Sequence, residues 1–360
     1  MFARGLLVRR IAVVALAALL ASTMAGCASA LSLGQAVQTL LSPGSVSEKE
    51  SAAERVAASL NASACADVAA AAAGDATLIT YVDMMRSDLL DTLNEGSDTE
   101  RRVAALQCIG ALGGAEAVEQ LGWTASDDSD ADVRLAAAQA LAADGSEEAL
   151  DALIGSLGAE TDDAVADSKA AMIARVPDVL DRVFAAYEAT YDASETARIA
   201  AVARFVGEGW VEPLAAEVGT EHQAAAQAML IEIGEPAVDK LVSMLRSKKY
   251  AIREFAAETL VSIERGTPGT VDRLMASIED KDYKDVAKYY LFYIKLGQSG
   301  TESVLRTALL KYGTKSMALD YLNCGNNKLE SAAETWAHRH GYIVIPGLGP
   351  SGGPTWGEGL

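Results

Sequence analysis

Asp128, Asp130 and Asp132 stand at alternate positions, the spacing of the first three ligands in a calcium-binding loop. Such a loop also needs Gly at its sixth position for a sharp turn and Glu at its twelfth. Here those positions hold Val133 and Gln139. The alternative role is mechanical, because carboxylates just ahead of an Ala-rich helical run cap its free N–H groups and suit its dipole. That role is the expectation. The histidines are His222, His338 and His340. The last two are two residues apart, so on a helix they point to different sides, and no metal site is expected. Ser, Lys and Cys side chains have no base partner at a recognisable spacing, and no glycine-rich loop offers itself to a phosphate. The expectation is a protein without catalytic residues, metal or cofactor.

Two other stretches could form a binding surface. Tyr283, Tyr289, Tyr290, Phe292 and Tyr293 cluster in a chain that is only 6% aromatic, so their concentration in one segment needs a cause. Either the core becomes bulkier where alanines run out, or these rings meet a partner; the first is favoured, and Tyr283, Tyr289, Tyr290 and Tyr293 stay candidates for the second. The segment 346–360 is rich in Gly and Pro and is expected to be a disordered tail, with Trp356 solvated, or else docked on the last repeat or on a partner.

The chain has four cysteines. Beyond Cys27 these are Cys65, Cys108 and Cys324, an odd number, so at least one cannot pair within the chain. Small buried hydrophobes are expected, with a Cys65–Cys108 bridge as the alternative. The net charge is −20, and it is uneven: residues 28–235 carry 11 basic against 36 acidic side chains, while 236–315 carry 14 against 10. Such acidity argues against nucleic acid or an anionic bilayer as the main partner.

The elements that position these residues repeat. "RRVAALQCIGALGG" from Arg101 aligns with "VRLAAAQALAADG" from Val133 at a shift of 32 residues, and later segments follow at 27 to 32. Each unit is an Ala-rich run with helical spacing, a Gly-containing turn, and a second run such as "EEALDALIGSL". One hairpin cannot bury its apolar face alone, whereas a stack of them can. "DADVRLAAAQALAADGSEEALDALIGSL" resembles a HEAT repeat of the phycobilisome-lyase type: acidic turn, Val-Arg, Ala-rich helix, Gly turn, second helix. The resemblance implies an all-α, right-handed α-solenoid of about eight HEAT-like hairpins. These would start near Thr99, Asp130, Asp163, Ser194, Glu221, Tyr250, Lys281 and Thr314 and fill 99–345, with an N-terminal helical cap over 46–98. It also implies a binding scaffold, with attachment of a chromophore or cofactor to proteins as the alternative activity.

At the N-terminus, Arg4, Arg9 and Arg10 precede an apolar run from Ile11 to Ala21 and then Met24-Ala25-Gly26-Cys27. The pattern resembles a bacterial lipoprotein signal over 1–26, which implies lipidation of Cys27, a tether over 27–45, and an extracytoplasmic protein anchored to the cell membrane. An ordinary cleaved signal and an uncleaved anchor are the alternatives.

Aligning the second helices on their core pairs exposes one column of side chains. The residue after the first core member is Glu119, Asp151, Asp181, Glu212, Asp239 and Asp272, acidic in all six repeats. At 100° per residue this position flanks the buried stripe, and the resemblance places second helices on the concave face. The next residue is Gln120, Ala152, Arg182, Pro213, Lys240 and Arg273, so bases are at hand only toward the C-terminal end. Structural pairing between repeats is favoured there. No base is evident for Glu119 and Asp151, and the expected partner is a protein or peptide with a cationic segment that meets the chain as a monomer.

Overall fold

The computed structural model describes residues 27–95, 98–347 and 353–358. The signal segment, 1–26, lies outside them. The chain divides into two units, Met1–Ile199 and Ala200–Leu360, and each is built of stacked antiparallel helices.

In the first unit the helices alternate between two layers. The first helices of the hairpins are α1 (Cys27–Leu41), α3 (Ala62–Ala72), α5 (Thr99–Leu112), α7 (Ala131–Asp144) and α9 (Asp163–Ile173). The second helices are α2 (Val46–Ala58), α4 (Ile79–Glu95), α6 (Ala115–Asp127), α8 (Glu147–Gly158) and α10 (Leu180–Ala189). First helices pack on first helices in sequence, and α2 on α4 and α6 on α8 in the other layer. The alanine content sets how closely they approach. Gly110 of α5 lies so near Ala140 of α7 that a Cβ on it would fall 2.7 Å from the Ala140 methyl. Helix starts are fixed by side-chain caps: Ser45 with Glu48 in a reciprocal box, and Asn61, Asp98, Asp130, Ser146 and Asp162 accepting from the free N–H groups of the turn that follows each. Gly145 ends α7 in the left-handed conformation, with φ of 68°.

Two expectations for this unit change. Residues 27–45 are not a tether: α1 occupies most of them and buries Ala36 and Leu40 against α2 and α3. Residues 46–95 form α2, α3 and α4, which pack with α1 and α5 as hairpins. The cysteines also pair. Cys65 of α3 and Cys108 of α5 form a disulfide across adjacent first helices, with Cα atoms 5.5 Å apart, and among the described side chains Cys324 is a free thiol. The close approach that Ala and Gly permit is what brings these two Cα atoms within bridging range.

After α11 (Ala193–Ala200), the second unit follows the same plan from α12 (Val202–Val206) and α13 (Val211–Ala216) through α14 (Gln223–Ile233), α15 (Val238–Met244), α16 (Tyr250–Gly266) and α17 (Asp272–Glu279). The next first helix is broken at Tyr289, giving α18 (Tyr283–Lys288) and α19 (Tyr290–Leu296), before α20 (Glu302–Tyr312), α21 (Lys315–Leu322) and α22 (Asn327–Arg339). Part of the expected tail is ordered: β1 (Tyr342–Ile345) pairs antiparallel with β2 (Thr355–Glu358). Trp356 donates to the Lys315 carbonyl at 3.3 Å. Trp336 stacks on His340 and on Tyr342, and Tyr342 meets Trp356. A Gly/Pro segment has no core of its own, but the last repeat lends it an aromatic surface and a strand edge.

Replacing Cys108 by Ser is expected to lower stability by about 2–4 kcal/mol, the usual effect of removing a native bridge, checked by denaturant unfolding. Thiol titration of the denatured, unreduced protein should find Cys324 reactive and Cys65 and Cys108 silent.

Candidate functional site

The acidic turn that carries Asp128 and Asp130 is a clamp. Arg102, Arg134 and Arg253 are each the fourth residue of their helix, in α5, α7 and α16. Arg102 reaches forward to Asp128 and donates to the Leu93 carbonyl at 3.1 Å. Asp130 caps α7 through the Asp132 N–H at 2.9 Å and accepts from the Thr99 hydroxyl at 2.6 Å. These carboxylates are therefore used up in joining repeats, as expected of an inter-repeat turn.

Arg134 carries the clamp inward. It forks onto Glu160, with Nη2 to Oε1 at 2.7 Å and Nε to Oε2 at 3.0 Å, and its Nη1 donates to the Asp128 carbonyl at 2.8 Å. Lys169 approaches the same carboxylate at 2.8 Å and donates to the Ala125 and Ser156 carbonyls at 2.7 and 3.0 Å. Glu160 also accepts from the Thr161 and Asp162 N–H groups at 2.9 and 3.0 Å. All three ionic side chains are buried. Burial by itself raises the Glu160 carboxyl, but the hydrogen bonds from Arg134, Lys169 and the backbone overcome it and hold its pKa at about 2. Burial pulls the Lys169 ammonium below its ordinary value against the attraction of Glu160. With each nitrogen and carboxylate oxygen of Arg134, Glu160 and Lys169 hydrogen-bonded, the triad is structural. Nothing in the sequence reading singled it out, although Arg102–Asp128 and Arg134–Glu160 share one sequence separation, 26 residues, which was there to be found.

In the second unit Arg253 is the counterpart of Arg134. Its Nη1 takes the carbonyl six residues back, Ser247, at 3.1 Å, and its Nη2 meets Ser316 at 3.0 Å and Asp320 at 3.4 Å. The Tyr290 hydroxyl donates to the same Asp320. Tyr290, Phe292 and Tyr293 are buried, and Tyr293 donates to the Leu274 carbonyl at 2.7 Å. Burial raises the phenol pKa of both tyrosines. Tyr290 and Tyr293 are thus core and not a partner surface. Tyr283 and Tyr289 are half-buried, and Lys311 sits 4.3 Å over the Tyr283 ring. The break at Tyr289 separates the rings that an unbroken helix would have lined up as neighbours.

The six column acids are all exposed beside the buried stripe. Three are paired through one register rule, in which the base following a column acid reaches back to the acid of the preceding repeat. Arg182 bonds Asp151 at 2.7 Å and also Glu147 at 2.6 Å; Lys240 bonds Glu212; Arg273 lies 3.6 Å from Asp239. This corrects the expectation for Asp151, whose base comes from the next repeat. Glu119 differs. The position that would serve it is Ala152, whose methyl lies against Gly122. No ion pair reaches Glu119, Asp181 or Asp272 among the described residues.

Glu119 also borders an open cleft of about 510 Å³, lined by Leu90 of α4 and by Glu119, Gln120 and Trp123 of α6. The cleft exists because α4 and α6 do not pack together as α2 with α4 and α6 with α8 do. Trp123 is 65% exposed there. The sequence reading missed it; the available signal was its place one turn beyond a column acid. No group of His, Cys, Asp and Glu among the described residues is arranged to hold a metal ion.

Hairpins stacked in register around this clamp make each unit a helical repeat structure of the α-solenoid class. A family profile of HEAT repeats matches residues 87–174 and 211–289, so these stretches are similar to HEAT repeats. A search of the curated proteins finds no match.

Removing Glu160 leaves Lys169 buried without its counter-charge, so Glu160→Ala is expected to cost about 3–5 kcal/mol and more than Lys169→Met, as measured by denaturant unfolding. The pH dependence follows from the same group. An unfolded carboxyl of pKa 4.5 takes up a proton before the folded one at about 2 does. The stability that Glu160 contributes is therefore complete at neutral pH and drains away as the pH falls from about 5 toward about 2. Acid unfolding of Glu160→Gln should lack that component.

Proposed function

We propose that this protein is a non-catalytic scaffold, held outside the cytoplasm by a lipid on Cys27, that binds a partner protein through a cationic segment. The observation that carries the partner's chemistry is the unbalanced charge on the second-helix face of the first unit. Glu119 and Asp181 have no described counter-ion, and partial burial together with the charges of Glu54 and Asp91 lifts the Asp88 carboxyl above its ordinary value. A like-charged face of this kind favours approach of a cationic chain and repels an acidic one. HEAT repeats present such surfaces for protein binding as a rule, which supports the scaffold reading. Export is supported by the Cys65–Cys108 bridge, since disulfides persist in oxidising compartments. With α1 starting at Cys27, an acyl anchor there would hold the first hairpin close to the bilayer.

Crosslinking in the native envelope, with identification of the joined protein, tests the scaffold. One stoichiometric partner rich in Lys or Arg at the crosslink is the expected result. Neutralising Glu119, Asp151 and Asp181 together should weaken capture and flatten its dependence on salt. Because these are exposed positions, the melting temperature should barely move: the lost Arg182 pair is worth less than about 1 kcal/mol. Lower stability with unchanged capture would make the column structural. Cys27→Ser is expected to leave the protein unprocessed or to release it from membranes. A processed protein that still sediments with them would remove the lipid anchor.

A further inference from the structure

We propose that the cleft between α4 and α6 is the seat of one arginine or lysine side chain of the partner, with Trp123 as the platform under the cation and Glu119 as its counter-ion. This inference rests on the scaffold reading and names the point at which that surface is read.

At Glu119 the ion-pair register lacks its base. Arg182 serves Asp151, Lys240 serves Glu212 and Arg273 serves Asp239, each base reaching back one repeat. Glu119 occupies the same column, and the residue in the serving position is Ala152. The chain omits its own cation at one of the second helices beside which the stack opens. Between α2 and α4, and between α6 and α8, the second helices pack directly; between α4 and α6 they leave the cleft of about 510 Å³. Glu119 and Trp123 are one helical turn apart and share a face, with Gln120 one turn back from Trp123 on the other side.

An occupant must satisfy an exposed indole, an unpaired carboxylate, an amide and the half-buried Leu90 together. An aliphatic side chain would desolvate Glu119 without giving it a partner, which is costly. A carboxylate would be repelled. An arginine or lysine meets every demand. Its stem lies along Leu90, its charge rests over the Trp123 ring and against the Glu119 carboxylate, and its N–H groups reach the Gln120 amide oxygen.

The test uses the full chain, labelled so that the indole N–H of Trp123 is observed by nuclear magnetic resonance, its signal assigned by its loss in Trp123→Phe. The probe is a capped glycine–serine peptide with one central arginine, and the control is the same peptide with neutral citrulline in its place. The expected result is a saturable shift of the Trp123 signal with arginine and little or none with citrulline. Glu119→Gln should weaken the arginine peptide about five- to tenfold in the same signal; by isothermal titration calorimetry, which needs no Trp123 signal, Trp123→Ala should abolish saturable binding, with Trp123→Phe between, in keeping with the strength of cation–aromatic contacts. Since Trp123 is exposed, these variants should keep the wild-type melting temperature. Equal shifts with both peptides, or arginine binding unchanged in Trp123→Ala, would overturn the proposal. Envelope crosslinking of Trp123→Ala separates the two levels. If wild type and variant capture the same partner equally, the cleft is not its anchor and the scaffold stands; if wild type captures none, the scaffold reading itself fails.

Discussion

The constraint on which the first unit turns is the need to bury Glu160 as an ion. Taking a carboxylate out of water costs several kcal/mol unless its lone pairs are met by well-placed donors. Here those donors come from α7, through Arg134, from α9, through Lys169, and from the backbone that starts α9. Lys169 in turn needs carbonyls at the ends of α6 and α8. Four helices from three consecutive hairpins must therefore be in place before any member of the triad is satisfied. A slip of one hairpin would leave two buried charges unpaired, which makes the register much more specific than the interchangeable alanine surfaces could make it.

That fixed register is what turns isolated acids into a column with a rule. Because neighbouring repeats are held at one offset, a base one residue beyond the column in one repeat falls beside the acid of the previous repeat. Where the serving position holds Arg182, Lys240 or Arg273, the column is neutralised. Where it holds Ala152, charge is left over, and at that end of the chain the second helices also part. Charge and opening coincide at Trp123, and neither alone would define a surface. The pairs themselves are exposed and contribute little to stability; their effect is to decide where negative potential collects.

The two units solve the problem of the inter-repeat turn with different partners. Arg134 finds a carboxylate in the turn after its own hairpin, 26 residues on, whereas Arg253 finds Asp320, 67 residues on, and shares it with the Tyr290 hydroxyl. The longer reach goes with bulkier rings, and the break at Tyr289 turns Tyr290 and Tyr293 into the core. An aromatic stack from Trp336 through Tyr342 to Trp356 joins α22 to the β1–β2 pair.

The sequence by itself determined the helical repeat architecture. Periodic Ala and Leu, acidic caps and Gly turns act within one hairpin or between adjacent ones, so a self-comparison of the chain reveals them. It also marked the exposed column, since position on a helix face follows from spacing alone. What it did not determine were contacts set by how closely particular helices approach: the Cys65–Cys108 bridge, the burial of Glu160 and Lys169, the pairing of Asp151 with Arg182, and the ordering of Thr355–Glu358 on Tyr342–Ile345. It also did not show α1, which lies where a tether was expected. The cleft beside Trp123 was hidden for a stronger reason: a gap between α4 and α6 is a property of neither helix, and only the packed layer decides whether two faces meet or stand apart.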